Sequence, residues 1–308
     1  MLDTGVNDWE AKALRLLGLA LLVMCAAWLG IATRPVGFLA TIWPANAVLL
    51  GLFILYPRLA TPGGWLAALV GYVAADLLMG GGWQLALRLS LVNLVFVACG
   101  LLLARLTPKR LRSLDSHAGL LALLLICLLA ACCSALAAVL LGHWTQPSLY
   151  ANAWDAASSW FSADLLNAVL VLPVMLSAPG FFSRLFDTRP GRGRDDLWEF
   201  APVVTLLVAM MICIGMGGMG ALGVIVTALL WCALSYSLFV TALLTLMTCV
   251  WLLVAVNMGL LPLLETHDDA ARTLALRLGV ILFAIGPLLA ASIAQARSRY
   301  RQAPASDA

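Results

Sequence analysis

Charge is scarce in this chain. Asp, Glu, Lys and Arg make up 11% of its 308 residues, against about 25% in soluble domains. That shortage excludes a sizeable soluble domain. Histidine is scarcer still. His117, His143 and His267 lie in or beside loops, far apart in sequence. No HExxH, GxSxG, phosphate-loop or paired-cysteine motif is present. Intramembrane proteolysis would need a GxSG motif or a GxGD-type aspartate pair, and neither occurs. The sequence therefore predicts a protein that is not an enzyme, with no cofactor and no metal site. All eight cysteines fall in apolar runs without a CxxC pair, which reads as small buried hydrophobes. The net charge of +3 sits in short loops and gives no nucleic-acid surface.

Apolar sequence fills the space that charge leaves. The chain is 63% hydrophobic, with a mean hydropathy of +1.02. Runs near the ~20-residue bilayer length recur from end to end. They predict an all-α, polytopic transmembrane helical bundle of about ten spans. The spans are Ala13–Ile31, Gly37–Leu55, Pro62–Met79, Gln84–Leu103, Ala118–Leu141, Phe161–Ala178, Glu199–Gly215, Ala221–Ser235, Phe239–Leu261 and Ala271–Ala294. The glycine cluster Gly215 to Gly220, with Gly223, separates the seventh from the eighth. It reads either as a tight reversal or as a close-packing stretch in one broken helix. Merged or re-entrant segments would reduce the count to about eight.

Loop charge sets the orientation. Lys12 and Arg15 precede or open the first span. Arg105, Lys109, Arg110 and Arg112 follow the fourth. Arg184, Arg189, Arg192 and Arg194 follow the sixth, and Arg297, Arg299 and Arg301 follow the last. An even span count puts all of these on one face. That face is expected to be cytoplasmic, and with it both termini. The opposite loops are poor in positive charge, with Arg34 as the exception. Residues 1–12 read as a cytoplasmic leader, 13–296 as an integral membrane domain and 297–308 as a short cytoplasmic tail. The leader carries acidic residues and no clear cleavage site, so the first span is expected to stay as an anchor. Gln146 to Trp160 is too polar to span. It reads as an interfacial turn anchored by Tyr150, Trp154 and Trp160, or as a rim over a pocket.

Trp43-Pro44-Ala45-Asn46 interrupts the second apolar run. Proline removes a backbone donor, and the freed carbonyl needs another partner in hydrocarbon. A local break facing protein or water follows. Asp76, Arg88, Asn93, Asp164 and Asn167 are polar residues inside other apolar runs, where such groups face a partner or a cavity. Asp76 and Arg88 bracket a short hairpin and can neutralise each other as helices insert. Alternatively Asp76, Arg88 and Asp164 line one polar cavity for a small charged or zwitterionic ligand. Asn46 either satisfies a group freed at Pro44 or hydrogen-bonds a ligand stacked on Trp43. Asn93 and Asn257 read as interhelical partners. Pro173 is expected to kink the sixth helix.

The run Thr41-Ile42-Trp43-Pro44-Ala45-Asn46-Ala47-Val48-Leu49-Leu50 resembles the Trp-Pro signature of the MASE1 family, the first membrane-associated sensor domain. Arg58, the stretch from Gly64 to Gly71 and the helix around Asn93 follow in that family's order. Ala153-Trp154 through Asp164 to Leu172-Pro173 resembles its Trp-to-Asp-to-Pro helix. Ala228 to Ser237 resembles its later tryptophan segment. Asn46 or Ala47 and Asn167 stand where glycine is usual, and Tyr236-Ser237 replaces an aromatic-Gly ending.

The resemblance implies a bacterial inner-membrane sensory input domain. Such domains respond to a small ligand or a membrane state and signal to a cytoplasmic kinase or cyclic-di-GMP enzyme. After Tyr300 only a polar tail is seen, with no GGDEF, EAL or kinase-type sequence. The expectation is a stand-alone sensor working through a separate cytoplasmic partner, or one whose output domain was lost. The lipid bilayer is the other expected partner, and a homodimer is compatible. The alternative is a secondary transporter of a small solute, since broken helices and buried charge are transporter traits. Against it, the second half carries no matching Trp-Pro pair.

Overall fold

Leu-, Ala- and Val-rich runs with few interior breakers favour helix. In lipid, helix also satisfies every backbone group within the segment. The computed structural model describes residues 8–33, 42–114, 116–142, 152–186, 197–261 and 269–302. Among these the regular structure is helical. The helices are α1 Asp8–Ala32, α2 Ala45–Leu55, α3 Pro62–Leu78, α4 Trp83–Leu106, α5 His117–Gly142, α6 Ala153–Phe186, α7 Ala201–Met216, α8 Gly218–Ser235, α9 Leu238–Asn257 and α10 Asp269–Gln302.

Seven are long and apolar enough to cross a membrane: α1, α4, α5, α6, α9, α10 and α7 with its preceding turn. The chain is thus a multi-pass membrane protein in character. Each segment read as a span contains a described helix, but α2, α3 and the apolar part of α8 fall short of membrane length. The 11 residues of α2 rise about 16 Å, roughly half the ~30 Å hydrocarbon thickness.

The ends of these helices follow from local sequence. Pro44 stands immediately before α2, and residues 37–41 of its apolar run lie outside the described residues. It caps the start of α2 at φ −73°, and its carbonyl accepts the Val48 N–H at 2.9 Å. A proline costs no hydrogen bond there, because the first-turn N–H groups have no intrahelical acceptor. Thr61 caps α3 by accepting the Gly64 N–H, with Pro62 opening the helix. Asn152 caps α6 through the Asp155 N–H at 2.9 Å. Pro173 lies inside the continuous α6. Of the expected interfacial segment, 146–151 lie outside the described residues. Trp154 is on the first turn of α6 and exposed.

Two compact units divide the chain. The first comprises Met1–Ala104 and Leu128–Ala168. Its main packing is α1 on α3, with Gly71 at the closest approach. A Cβ on Gly71 would stand 2.5 Å from the Ala20 carbonyl oxygen of α1. Small residues allow this approach in lipid. Leu49, Leu50, Phe53 and Phe96 fill the core, and Phe53 meets Trp65 edge-on at 5.0 Å.

The second unit comprises Arg105–Cys127 and Val169–Ala308. Here α7 and α8 pack side by side. Gly217 joins them at φ +63°, a conformation that favours glycine. The glycine cluster is therefore a tight reversal. Helix α10 packs on both α8 and α9.

Candidate functional site

The site lies wholly within the first unit and begins at the N-terminus of α2. Asn46, the second residue of that helix, is buried. Its Nδ2 donates to Asn93 Oδ1 at 2.9 Å and to Asp164 Oδ1 at 2.8 Å. Its Oδ1 accepts from the Tyr72 hydroxyl at 2.7 Å and from Trp43 Nε1 at 3.4 Å. A carboxamide offers two donors and two lone pairs. Asn46 uses all four, each toward a different side chain.

Asp164 is the second centre. It is only 2% exposed. Oδ1 receives Asn46, and Oδ2 lies 2.5 Å from the Ser134 hydroxyl. Bonds to a carboxylate are the shorter and stronger class. Burying such a group is tolerated only when its lone pairs are engaged. One turn on, Asn167 accepts the Trp43 backbone N–H at 3.0 Å and donates to the Ala163 carbonyl at 2.8 Å. The indole of Trp43 lies against Gly30 of α1, where a Cβ would overlap the ring. Side chains from α2, α3, α4, α5 and α6 thus meet in one buried polar knot.

Of the residues singled out in the sequence, Trp43, Asn46, Asn93, Asp164 and Asn167 come together here. Pro44 sits beside them as the cap of α2. Asp76 on α3 and Arg88 on α4 are half-buried, and each has a polar interaction of its own. The bonds traced from Asn46 do not run through them. Asn257 ends α9 in the second unit, on an exposed position.

Sequence reasoning missed Tyr72 and Ser134. Tyr72 stands four residues before Asp76, so α3 points both along one face. Ser134 sits among Cys133 and Ala135 and looks like any small packing residue. In the second unit it also missed Arg277 on α10, which is 2% exposed. An ionisable group buried in a membrane-length helix is costly and points to a role.

Among the described residues no group of three His, Cys, Asp or Glu side chains could hold a metal. What the arrangement can do is fix the register of five helices.

No family model matches the chain, and no solved structure matches it. Two curated relatives do. Over 280 residues it is 27% identical to a probable diguanylate cyclase, DgcF, of Escherichia coli O157:H7. That alignment covers 89% of this chain and 56% of the relative. Over 149 residues it is 28% identical to probable diguanylate cyclase DgcF of Escherichia coli strain K12, covering 47% of this chain and 44% of that protein. The chain spans about half the length of the curated relatives it matches. These matches overturn the sequence expectation of a non-enzyme, because both relatives carry the name of an enzyme. That expectation drew on the absence of catalytic motifs and on three scattered loop histidines within the given residues.

Proposed function

We propose that this chain is the membrane-embedded input region of a cyclic-di-GMP signalling protein of the diguanylate cyclase kind. The alignment with a probable diguanylate cyclase over 89% of the chain carries this reading. The seven membrane-length helices support it. The MASE1-like Trp43-Pro44 block and the knot it builds supply the sensory part. On this reading the chain resides in the inner membrane with its Arg-rich loops cytoplasmic. A small ligand or a membrane state favours one arrangement of the knot around Asn46 and Asp164. It does so only by its differential affinity for the two arrangements. A cytoplasmic cyclase module receives the change.

The test is a cellular one. The full chain is expressed in bacteria carrying a fluorescent cyclic-di-GMP reporter, alone and beside a cyclase module. The expected result is a shift in reporter output that depends on membrane insertion. An output identical to the empty vector in both settings would contradict the proposal.

A further inference from the structure

The second unit contains a cavity of about 230 Å³ that the knot does not explain. Arg112, Ser177, Ser237, Phe239 and Gln295 are among its walls, and no wall residue is acidic. Arg112 follows Arg105, Lys109 and Arg110, so the mouth stands at a Lys/Arg-rich end. Two guanidinium nitrogens of Arg112 donate to the carbonyls of Thr107 and Arg105. This holds the cation in place and leaves part of its five-donor fork over.

The opposite wall is the start of α9. Ser237 caps that helix by accepting the Val240 N–H, which leaves its own O–H to donate. Gln295 of α10 accepts the Leu238 N–H at 3.1 Å. The Phe239 N–H, between these two, lies in the first turn, where N–H groups lack intrahelical acceptors. The helix dipole adds positive potential at the same point. Phe181 of α6 stacks on Phe239 at 4.8 Å, with Phe182 at 5.6 Å from the same ring and exposed.

Among the described residues three buried hydroxyls of α9 and α10 have no hydrogen-bond partner: Thr241 Oγ1, Thr245 Oγ1 and Ser292 Oγ. Leu238 pairs with Gln295 on these antiparallel helices. Thr241 lies three residues on from Leu238 in α9, and Ser292 three residues before Gln295 in α10.

We propose that this cavity binds a phosphate group. A fixed cation, hydroxyl and N–H donors, a helix N-terminus and a wall free of carboxylates together suit an anion with several acceptor oxygens. The exposed Phe182 beside it, with Phe181 and Phe239 at its back, suits an apolar tail, as in an anionic phospholipid. An inorganic phosphate ion presents the same headgroup chemistry without the tail.

Ser237→Asp and Gln295→Glu test this. Aspartate caps a helix as well as serine does, and glutamate can still accept the Leu238 N–H. Both variants should therefore unfold without ligand as the wild type does. The full chain in zwitterionic detergent is titrated with phosphatidylglycerol or with inorganic phosphate, and thermal protection is followed. Protection by phosphatidylglycerol alone assigns a lipid headgroup. Protection by both assigns the phosphate group itself. In either case each variant should raise the half-saturating concentration about tenfold, since one added charge at close range is worth roughly 1.4 kcal/mol. No protection by either probe, or equal protection of variants and wild type, would overturn the proposal.

Discussion

Asn46 and Asp164, 118 residues apart, meet at 2.8 Å between Nδ2 and Oδ1, and both are buried. Neither can lose the other cheaply. The same Asn46 amide also serves Asn93, Tyr72 and Trp43. Its removal orphans several groups at once.

Asn46→Ala should therefore cost more than an average membrane hydrogen bond, which is worth about 0.6 kcal/mol. Each orphaned buried group adds about 1–3 kcal/mol. The expected loss is about 2–4 kcal/mol in thermal unfolding of the chain in detergent. A loss below ~0.5 kcal/mol would mean that the knot is loosely made.

Asp164→Asn and Asp164→Ala should separate cleanly. An asparagine can accept from Asn46 with its oxygen and donate to Ser134 Oγ with its nitrogen. Its cost is expected to stay within about 1 kcal/mol, while alanine costs about 2–3 kcal/mol. A double-mutant cycle of Asp164→Ala with Asn46→Ala should return a coupling of about 1 kcal/mol or more. Additive effects would show that the two side chains do not act together.

Gly71→Ala tests the α1–α3 contact. The added Cβ meets a backbone oxygen rather than a flexible side chain, so the helices must separate. Overpacking of this kind costs about 1–3 kcal/mol. Gly100→Ala is the comparison, because its Cβ would meet the mobile end of Leu50. The expected order is a larger loss for Gly71, read by thermal unfolding. The reverse order would place the tight contact elsewhere.

Tyr236 closes α8, and its hydroxyl donates to the Glu199 carbonyl at 2.5 Å. Burial pushes its pKa up from the usual value, with the neighbouring Cys232 adding to the effect. A raised folded-state pKa gives stability that is complete below the unfolded pKa of about 10 and is lost as pH rises through the folded value. Wild-type unfolding should therefore show an alkaline loss above about pH 10 that Tyr236→Phe lacks. Below that pH the variant should be less stable by about 1 kcal/mol. Parallel profiles for the two proteins would contradict this role.

Much of the knot was legible because asparagine, aspartate and a Trp-Pro pair are conspicuous in apolar runs. Asn46, Asn93, Asp164 and Asn167 stand out for that reason alone. Tyr72 and Ser134 do not, since both residue types are ordinary in membrane helices. Only the lateral packing of α3 and α5 brings them to Asn46 and Asp164. The helical class followed from composition, but the length of α2 did not. An apolar run does not mark where a helix starts, and here Pro44 takes the capping position of α2. Arg277 was overlooked because an arginine near the end of an apolar run reads as a flanking charge. Its burial depends on neighbours in space.

The central claim is that the Asn46–Asp164 knot sets the state that a cyclase module reads. The direct measurement is cellular cyclic-di-GMP in cells expressing the chain beside that module, with wild type, Asp164→Asn and Asn46→Ala matched for membrane level. Asn46→Ala should abolish the wild-type shift or fix it at one extreme, and Asp164→Asn should keep part of it. A reporter output that is the same for all three would contradict the account.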